Sequence, residues 1–313
     1  MYVNEQQKQI NNVLDYIDEN LNESLPLEKL AKVSTYSVYH FQRTFKAITG
    51  ETPAGYIKRL RLENAAHFLI YEQQIPITQI AMMCGFSSLS YFTYSFNECF
   101  RISPKKWREG AYLERFPREY YDSKKSKLVS NIQKDGSNSN TYNEFKWLDL
   151  TKVKVVDFPA CVTVSNQSIG PYTKGIPDVW EVIYHWSKSR GYIQEDTLMF
   201  GVPRNNPYIT PPEKSRYDCR IVMNDVELLK QVDEPTYPFK GGKHVVYEFE
   251  ELVEYSERSK LIECYSELYS FWLPRSGYRY LGNPIELVHL EPVKGSLAIN
   301  CKIKAICLAI EPK

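Results

Sequence analysis

Leu30-Ala31, followed by Phe41, Phe45 and Pro53, returns as Ile80-Ala81, followed by Phe92, Phe96 and Pro104. The copies lie about fifty residues apart. Each reads as a short helix, a tight turn, a second helix and then a proline. Two such units side by side present two helices to one face of DNA.

Working outward, the stretch from Ile10 to about Trp107 is helical throughout. Ile10, Val13, Leu14, Ile17 and Leu21 share one face at helical spacing. Ser24 is the expected cap of the next helix, with Pro26 near its first turn. Ser34 and Thr35 mark the turn, and an amphipathic helix runs from Tyr36 to Ile48. Gly50 stops it and Pro53 opens a long connector carrying Tyr56, Leu60, Leu62, Ala65, Ala66 and Leu69. The second copy begins at Ile75-Pro76, turns at Gly85-Phe86, and places its second helix at about Ser88 to Phe100.

In the first helix Phe41, Phe45 and Ile48 face inward. Tyr36, Ser37, Tyr39, His40, Gln42, Arg43 and Lys46 are left for the outside or the rim. Arg43 suits guanine and Gln42 suits adenine, the pairings of the major-groove code. Each candidate is equally open to a phosphate contact, because most protein–DNA hydrogen bonds go to the backbone. In the second copy the exposed candidates are Ser87, Ser88, Ser90, Tyr91 and Tyr94, with Tyr91 equally open to packing. A rigid connector would let one chain read two successive major grooves, ~34 Å apart, as a monomer.

The 313 residues carry a net charge of +1, which gives no global pull toward DNA or membrane. Charge is clustered instead. Lys29, Lys32, Arg43, Lys46, Lys58, Arg59 and Arg61 lie in the first copy, and Arg101, Lys105, Lys106 and Arg108 follow the second. Such runs read either as phosphate-attracting or as a solvated helical surface. Seven cysteines without a CxxC pair or metal-like spacing point to reduced thiols, a cytoplasmic location and no metal or cofactor. No run approaches the ~20 apolar residues a spanning helix needs, so no membrane partner is expected.

From Tyr112 the composition turns polar. Lys124-Lys125-Ser126-Lys127 and the 135–140 stretch offer little to bury, and 111–146 reads as a linker. Strand signals begin after Trp147, at 153–158 and 160–164. A helix is expected over 176–189, then strands at 198–200 and 217–223. The order recurs as a strand at 243–249, a helix at 261–272, and strands at 285–290 and 297–306. Landmarks match across the copies: Trp186 with Trp272, Gly191-Tyr192 with Gly277-Tyr278, Gly201 with Gly282, and Cys219-Arg220-Ile221 with Cys301-Lys302-Ile303. A duplicated strand–helix–strand–strand unit joins into one antiparallel α+β domain with a groove between halves. The fold class is therefore multidomain: an all-α double helix-turn-helix domain at 8–110, and a duplicated antiparallel-sheet α+β domain at 147–313.

The aromatics Tyr172, Trp180, Phe200, Tyr247, Tyr255, Trp272 and Tyr280 are candidate groove lining, although a tryptophan at helical spacing is usually core. Glu286 is sharper. It interrupts the apolar run Ile285-Glu286-Leu287-Val288, where a buried carboxylate is costly unless paired. The bland alternative is a glutamate facing solvent from a half-buried strand.

Residues 8 to 108 resemble the AraC/XylS DNA-binding domain. The carrying residues are 40–46 (His40-Phe41-Gln42-Arg43-Thr44-Phe45-Lys46), Gly50 with Thr52-Pro53, Arg61-Leu62-Glu63-Asn64-Ala65, and Ile80-Ala81 with the 84–92 run. Residues from about 147 to 313 resemble the GyrI-like small-molecule-binding domain of Rob-type and multidrug-sensing regulators. There the matches are Gly170-Pro171-Tyr172, Trp180, Trp272-Leu273-Pro274 with Gly277-Tyr278, and Pro284-Ile285-Glu286. The resemblance implies a transcription regulator of promoter DNA, with RNA polymerase as a protein partner and a small-molecule effector in the carboxy-terminal groove. It also implies that Glu286 pairs there with an organic, lipophilic cation. Two alternatives accompany it: a GyrI-like hydrolase of reactive small molecules, and a ligand-free domain that binds protein. The second unit departs from the family pattern. Tyr94, Asn97 and Glu98 stand where basic residues are usual, and Arg101 replaces a glycine. That departure implies weaker DNA contact there, or contact mainly through the backbone.

Overall fold

The computed structural model describes residues 5–115, 148–223, 236–293, 296 and 298–313. Its contacts divide into two compact units, the first ending at Arg115.

The first unit is helical. In chain order it contains α1 (Glu5–Glu19), α2 (Leu27–Val33), α3 (Val38–Thr49), α4 (Pro53–Tyr71), α5 (Ile77–Met83), α6 (Leu89–Phe100) and α7 (Pro104–Arg108). The periodic apolar residues of α1 are its buried ones, Ile10, Val13, Leu14 and Ile17. They pack with Leu30, Phe41, Phe45 and Tyr56 into one core. The second copy builds its own aromatic core. Phe92, Phe96 and Trp107 are fully buried, and the Trp107 indole N–H donates to the Ala66 carbonyl at 3.1 Å. Each such side chain contributes roughly 1.5–3 kcal/mol by leaving water.

Three sequence readings change here. α2 begins after Pro26, which stands in extended backbone with no side-chain cap, so Ser24 is not the cap. A 3-10 turn at Ala111–Arg115 buries Tyr112 and Leu113, and Arg115 lies over the Phe100 and Trp107 rings. That stretch therefore belongs to the helical unit and not to a linker. The remainder of the 111–146 linker reading, both polar runs included, lies outside the described residues. The third change concerns charge. Arg59 is held by Glu51 at 2.7 Å and Glu63 at 3.0 Å. Arg61 donates to the carbonyls of Leu21 (2.9 Å), Gly85 (3.0 Å) and Glu23. Lys58 pairs with Glu98 at 2.9 Å. These three residues of the basic cluster thus hold the connector in place, while Lys32, Arg43 and Lys46 remain exposed.

Among its described residues the second unit holds an antiparallel sheet and two helices of ten residues or more. It comprises β1 (Lys154–Phe158), β2 (Cys161–Ile169), α8 (Ile176–Ser189), β3 (Met199–Pro203), β4 (Arg216–Met223), β5 (Thr236–Phe239), β6 (Gly242–Glu254), α9 (Arg258–Glu267), β7 (Tyr278–Tyr280), β8 (Ile285–Pro292) and β9 (Ile299–Pro312). A π turn at Leu268–Trp272 extends α9. The short strands β5 and β7 carry no sequence signal of their own.

Strand order is β1-β6-β9-β8-β3-β4-β2-β5, with β7 also on β9. The duplication is plain in this order. Half one is β1-β2-α8-β3-β4 and half two is β5-β6-α9-β8-β9. The leading strand of each half pairs with the other half: Phe158 lies opposite Gly242, and Phe239 opposite Cys161. The halves meet where β3 pairs β8, with Phe200 opposite Leu287 and Gly201 opposite Glu286.

That register corrects the landmark matching. Gly201 lies opposite Cys219, and Glu286 lies opposite Ile306. The structural counterpart of Gly201 is therefore Glu286, not Gly282, and that of Cys219 is Ile306, not Cys301. Loops of unequal length and a bulge between Leu287 and Val288 displace the sequence landmarks.

Candidate nucleic-acid interface and ligand site

In the first copy Ser37 caps α3, its hydroxyl accepting from the His40 backbone N–H at 3.4 Å. Phe41, Thr44 and Phe45 turn into the core. The opposite face shows Ser37, Tyr39, Gln42, Arg43 and Lys46 to solvent, with Tyr39 75% exposed. Tyr36 and His40 are half-buried and meet edge to face at 4.5 Å, at the rim. In the second copy Ser88 caps α6 by accepting from the Tyr91 N–H at 3.2 Å. Phe92, Ser95, Phe96 and Phe100 are buried. Ser87, Ser88, Ser90, Tyr91 and Tyr94 are all exposed.

In the second unit side chains alternate along each strand, so Gly201 and Glu286 share one face of the sheet, and Phe200 and Leu287 the other. Glu286 is fully buried, which removes the solvent-facing alternative. The Tyr217 hydroxyl donates to one of its oxygens at 2.7 Å, and the Tyr265 hydroxyl to the other at 2.9 Å. Tyr255 lies 2.6 Å from the Tyr217 oxygen, and the Trp180 indole N–H donates to Tyr255 at 3.1 Å. Because the Tyr217 proton is committed to Glu286, Tyr255 donates to Tyr217. A directed chain runs Trp180, Tyr255, Tyr217, Glu286, spanning α8, the end of β6 and both halves of the sheet. Burial first, and then the nearby Glu286 charge, push the Tyr217 phenol well above its ordinary range. Burial likewise raises Tyr255. Both therefore stay protonated and able to donate at neutral pH.

Gly201 makes this chain possible. A Cβ there would stand 1.8 Å from the Tyr217 hydroxyl, so only glycine leaves room for the phenol to reach Glu286.

The structure brings Trp180, Tyr255 and Glu286 together. Tyr172 joins through its ring, edge to face on Tyr217 at 5.6 Å, while its hydroxyl donates to the Arg216 carbonyl at 2.7 Å. Tyr247 lies opposite Ile306, on the Glu286 face. Trp272 stacks on Tyr278 at 6.2 Å, and Tyr280 meets Tyr269 edge to face at 5.1 Å; Tyr269 in turn stacks on Tyr265 at 6.5 Å, so Tyr280 adjoins the Glu286 group through two rings. Phe200 lies on the far face, in a cluster with Val246, Ile285, Ala305 and Cys307. Sequence reading missed Tyr217 and Tyr265. Tyr217 belongs to an eight-residue strand buried at every position, where one polar tip among neighbours raised no signal. Tyr265 is one of many tyrosines, marked only by standing on a helix between Leu261 and Leu268.

On the far face Asp218 binds Arg204 at 2.6 Å and Arg220 at 3.2 Å. Burial opposes its charge, but these guanidiniums prevail and hold its carboxyl well below the usual carboxylate range. All seven cysteines are free thiols. Among the described residues no His, Cys, Asp or Glu group gathers as a metal site, and no helix is long and apolar enough to cross a membrane.

Comparison with known proteins agrees with both units. Residues 30–110 match the family described as "Helix-turn-helix domain", and residues 151–302 the "GyrI-like small molecule binding domain". The "Probable transcription factor PqrA" of Proteus vulgaris is 38% identical over 106 residues, covering 33% of this chain and 86% of that protein. The "Multiple antibiotic resistance protein MarA" of Escherichia coli (strain K12) is 37% identical over 99 residues, covering 32% of this chain and 77% of that protein. A crystal structure of an AraC-type transcriptional regulator from Chromobacterium violaceum is 29% identical, with a TM-score of 0.31, over 33% of this chain and 91% of that one. The chain belongs to the AraC-type family of DNA-binding transcription regulators, with a GyrI-like small-molecule-binding domain as its second unit.

Proposed function

We propose that this regulator is controlled by a lipophilic cation that binds against Glu286. The observation that carries this reading is the setting of that carboxyl group. It is fully buried, both of its hydrogen bonds come from neutral phenols, and no ion pair to it occurs among the described residues. A buried charge that lacks a counter-charge favours a desolvated cation. Aromatic rings around it add cation–π attraction of about 0.5–2 kcal/mol each. Tyr265 is the partly exposed member of the group, so its phenol is the one a ligand displaces first.

Arg43 and Gln42 read bases from α3, and one chain engages both half-sites without dimerising. The regulator works on promoter DNA in the cytoplasm, with RNA polymerase as its protein partner. The seven free thiols suit a reducing compartment. The names of these relatives concern transcription and antibiotic resistance, which supports a regulatory over a hydrolytic role and fits a multidrug-sensing one.

The test titrates the full chain with tetraphenylphosphonium, read by Trp180-region fluorescence and calorimetry. Glu286→Gln keeps the size and both phenol partners but removes the charge. It is expected to weaken binding by about tenfold or more. Equal affinity in both proteins, with melting temperatures unchanged, would reject Glu286 as the cation's partner.

A further inference from the structure

The second helices of the two copies correspond position by position, and their caps and buried residues set the alignment. The capping serines Ser37 and Ser88 correspond, as do buried Phe41 with Phe92 and Phe45 with Phe96, and the left-handed caps Gly50 and Arg101. On that alignment His40, Arg43 and Lys46 of α3 become Tyr91, Tyr94 and Asn97 of α6. Every basic or titratable reading position of the first helix is neutral in the second. No basic residue occurs between Leu89 and Phe100. The nearby Lys58 ammonium is paired with Glu98 at 2.9 Å and lies 5.9 Å from the centre of the Tyr91 ring. Its exposed residues include three large side chains, Tyr91 at 49%, Tyr94 at 66% and Leu89 at 42%, beside the polar Ser90 and Asn97 and the Lys58-paired Glu98.

We propose that α6 reads its half of the operator through apolar contact of Tyr91 and Tyr94 with thymine methyl groups, while α3 supplies the ionic half of the interface. This rests on the DNA-reading assignment made above. In the major groove thymine offers the one apolar group on a base edge, and a neutral face can distinguish it there. A tyrosine ring buries against the methyl, and its hydroxyl remains free to meet a phosphate. The occupant is DNA because these positions are the repeat equivalents of Arg43 and His40, on the same side of a helix capped in the same way. The ionic and apolar roles separate in their salt dependence. Each lost phosphate-neutralising side chain lowers the salt slope by about one, whereas an apolar contact leaves it unchanged.

The experiment uses the full chain and a duplex that it enriches from a random library. Each thymine is then replaced singly by deoxyuridine, which removes only the methyl. The expected result is a roughly three- to tenfold loss at one or two thymines confined to one half-site. At those thymines Tyr94→Ala or Tyr91→Ala abolishes the methyl effect, and Tyr94→Phe retains it. Neither alanine variant changes the salt slope, whereas Lys46→Ala lowers it. An enriched duplex that is indifferent to every methyl, or a methyl effect that persists in both alanine variants, overturns this inference alone. Alanine variants that bind the duplex as the parent does also overturn it, and assign the face to another partner. If no sequence is enriched at all, the DNA-reading assignment falls with it.

Discussion

Among the described residues, two outside glycine stand in left-handed backbone, Thr35 at φ 60° and Arg101 at φ 61°. Each occupies a position where the other repeat has glycine. Thr35 corresponds to Gly85 (φ 76°) in the turn, and Arg101 to Gly50 (φ 74°) at the cap. The same two backbone shapes are thus made once with glycine and once with strain. A side chain in this region costs roughly 1–2 kcal/mol, offset in part by the greater unfolded freedom of glycine. Arg101→Gly is therefore expected to raise stability by about 0.5–1 kcal/mol in urea unfolding. The converse change, Gly85→Thr, should destabilise by more than that. Its Cβ would meet the Arg61 guanidinium at 2.8 Å and disturb the bonds joining the connector to two loops. Equal and opposite effects of the two substitutions would show that Arg61 does not constrain the turn.

At the scale of elements, the chemistry of the second unit depends on strands from both halves meeting at one register. Gly201 on β3 and Glu286 on β8 are opposed, and Tyr217 from β4 crosses above the glycine to reach the carboxylate. Gly201→Ala should therefore cost about 1–3 kcal/mol, the range for forced overpacking, and displace the Tyr217 phenol. Near-ultraviolet circular dichroism and thermal melting would record both changes. Unaltered spectra and melting would mean that Tyr217 has room elsewhere. The helical repeat was legible because its evidence is local: apolar spacing, a turn residue and a closing proline all fall within about twenty-five positions. In the sheet, element types were legible and their correspondence was not. Pairing Gly201 with Gly282 followed a chemical likeness, whereas register is set by hydrogen bonds between strands far apart in sequence. The same distance hid Tyr217 and Tyr265. A phenol becomes notable only when a carboxylate arrives beside it from another strand.

At the scale of the whole molecule, the two units differ in how divisible they are. The helical copies each have a local aromatic core. The sheet halves exchange their first strands, β1 onto β6 and β5 onto β2. A cut between residues 116 and 147 should leave two pieces that each melt cooperatively. A cut between β4 and β5 should leave neither half folded, because each would expose an unpaired edge and half of the buried face. Circular dichroism melts of the four fragments would check this, and a cooperative melt of the 148–223 piece would contradict it.

By itself the sequence determined the helix-turn-helix repeat, the exposed faces of its second helices, the longer strands and the two main helices of the second unit, and the peculiarity of a glutamate within an apolar strand. These follow from periodicity and turn chemistry, which act over a few residues. Only the tertiary structure decided that Arg59 and Arg61 brace the connector instead of facing DNA, that Phe200 and Glu286 lie on opposite faces, and that Glu286 is held by Tyr217 and Tyr265. Those outcomes depend on which distant groups meet once strands pair and helices pack, and contact energies between distant positions leave no pattern in a single chain.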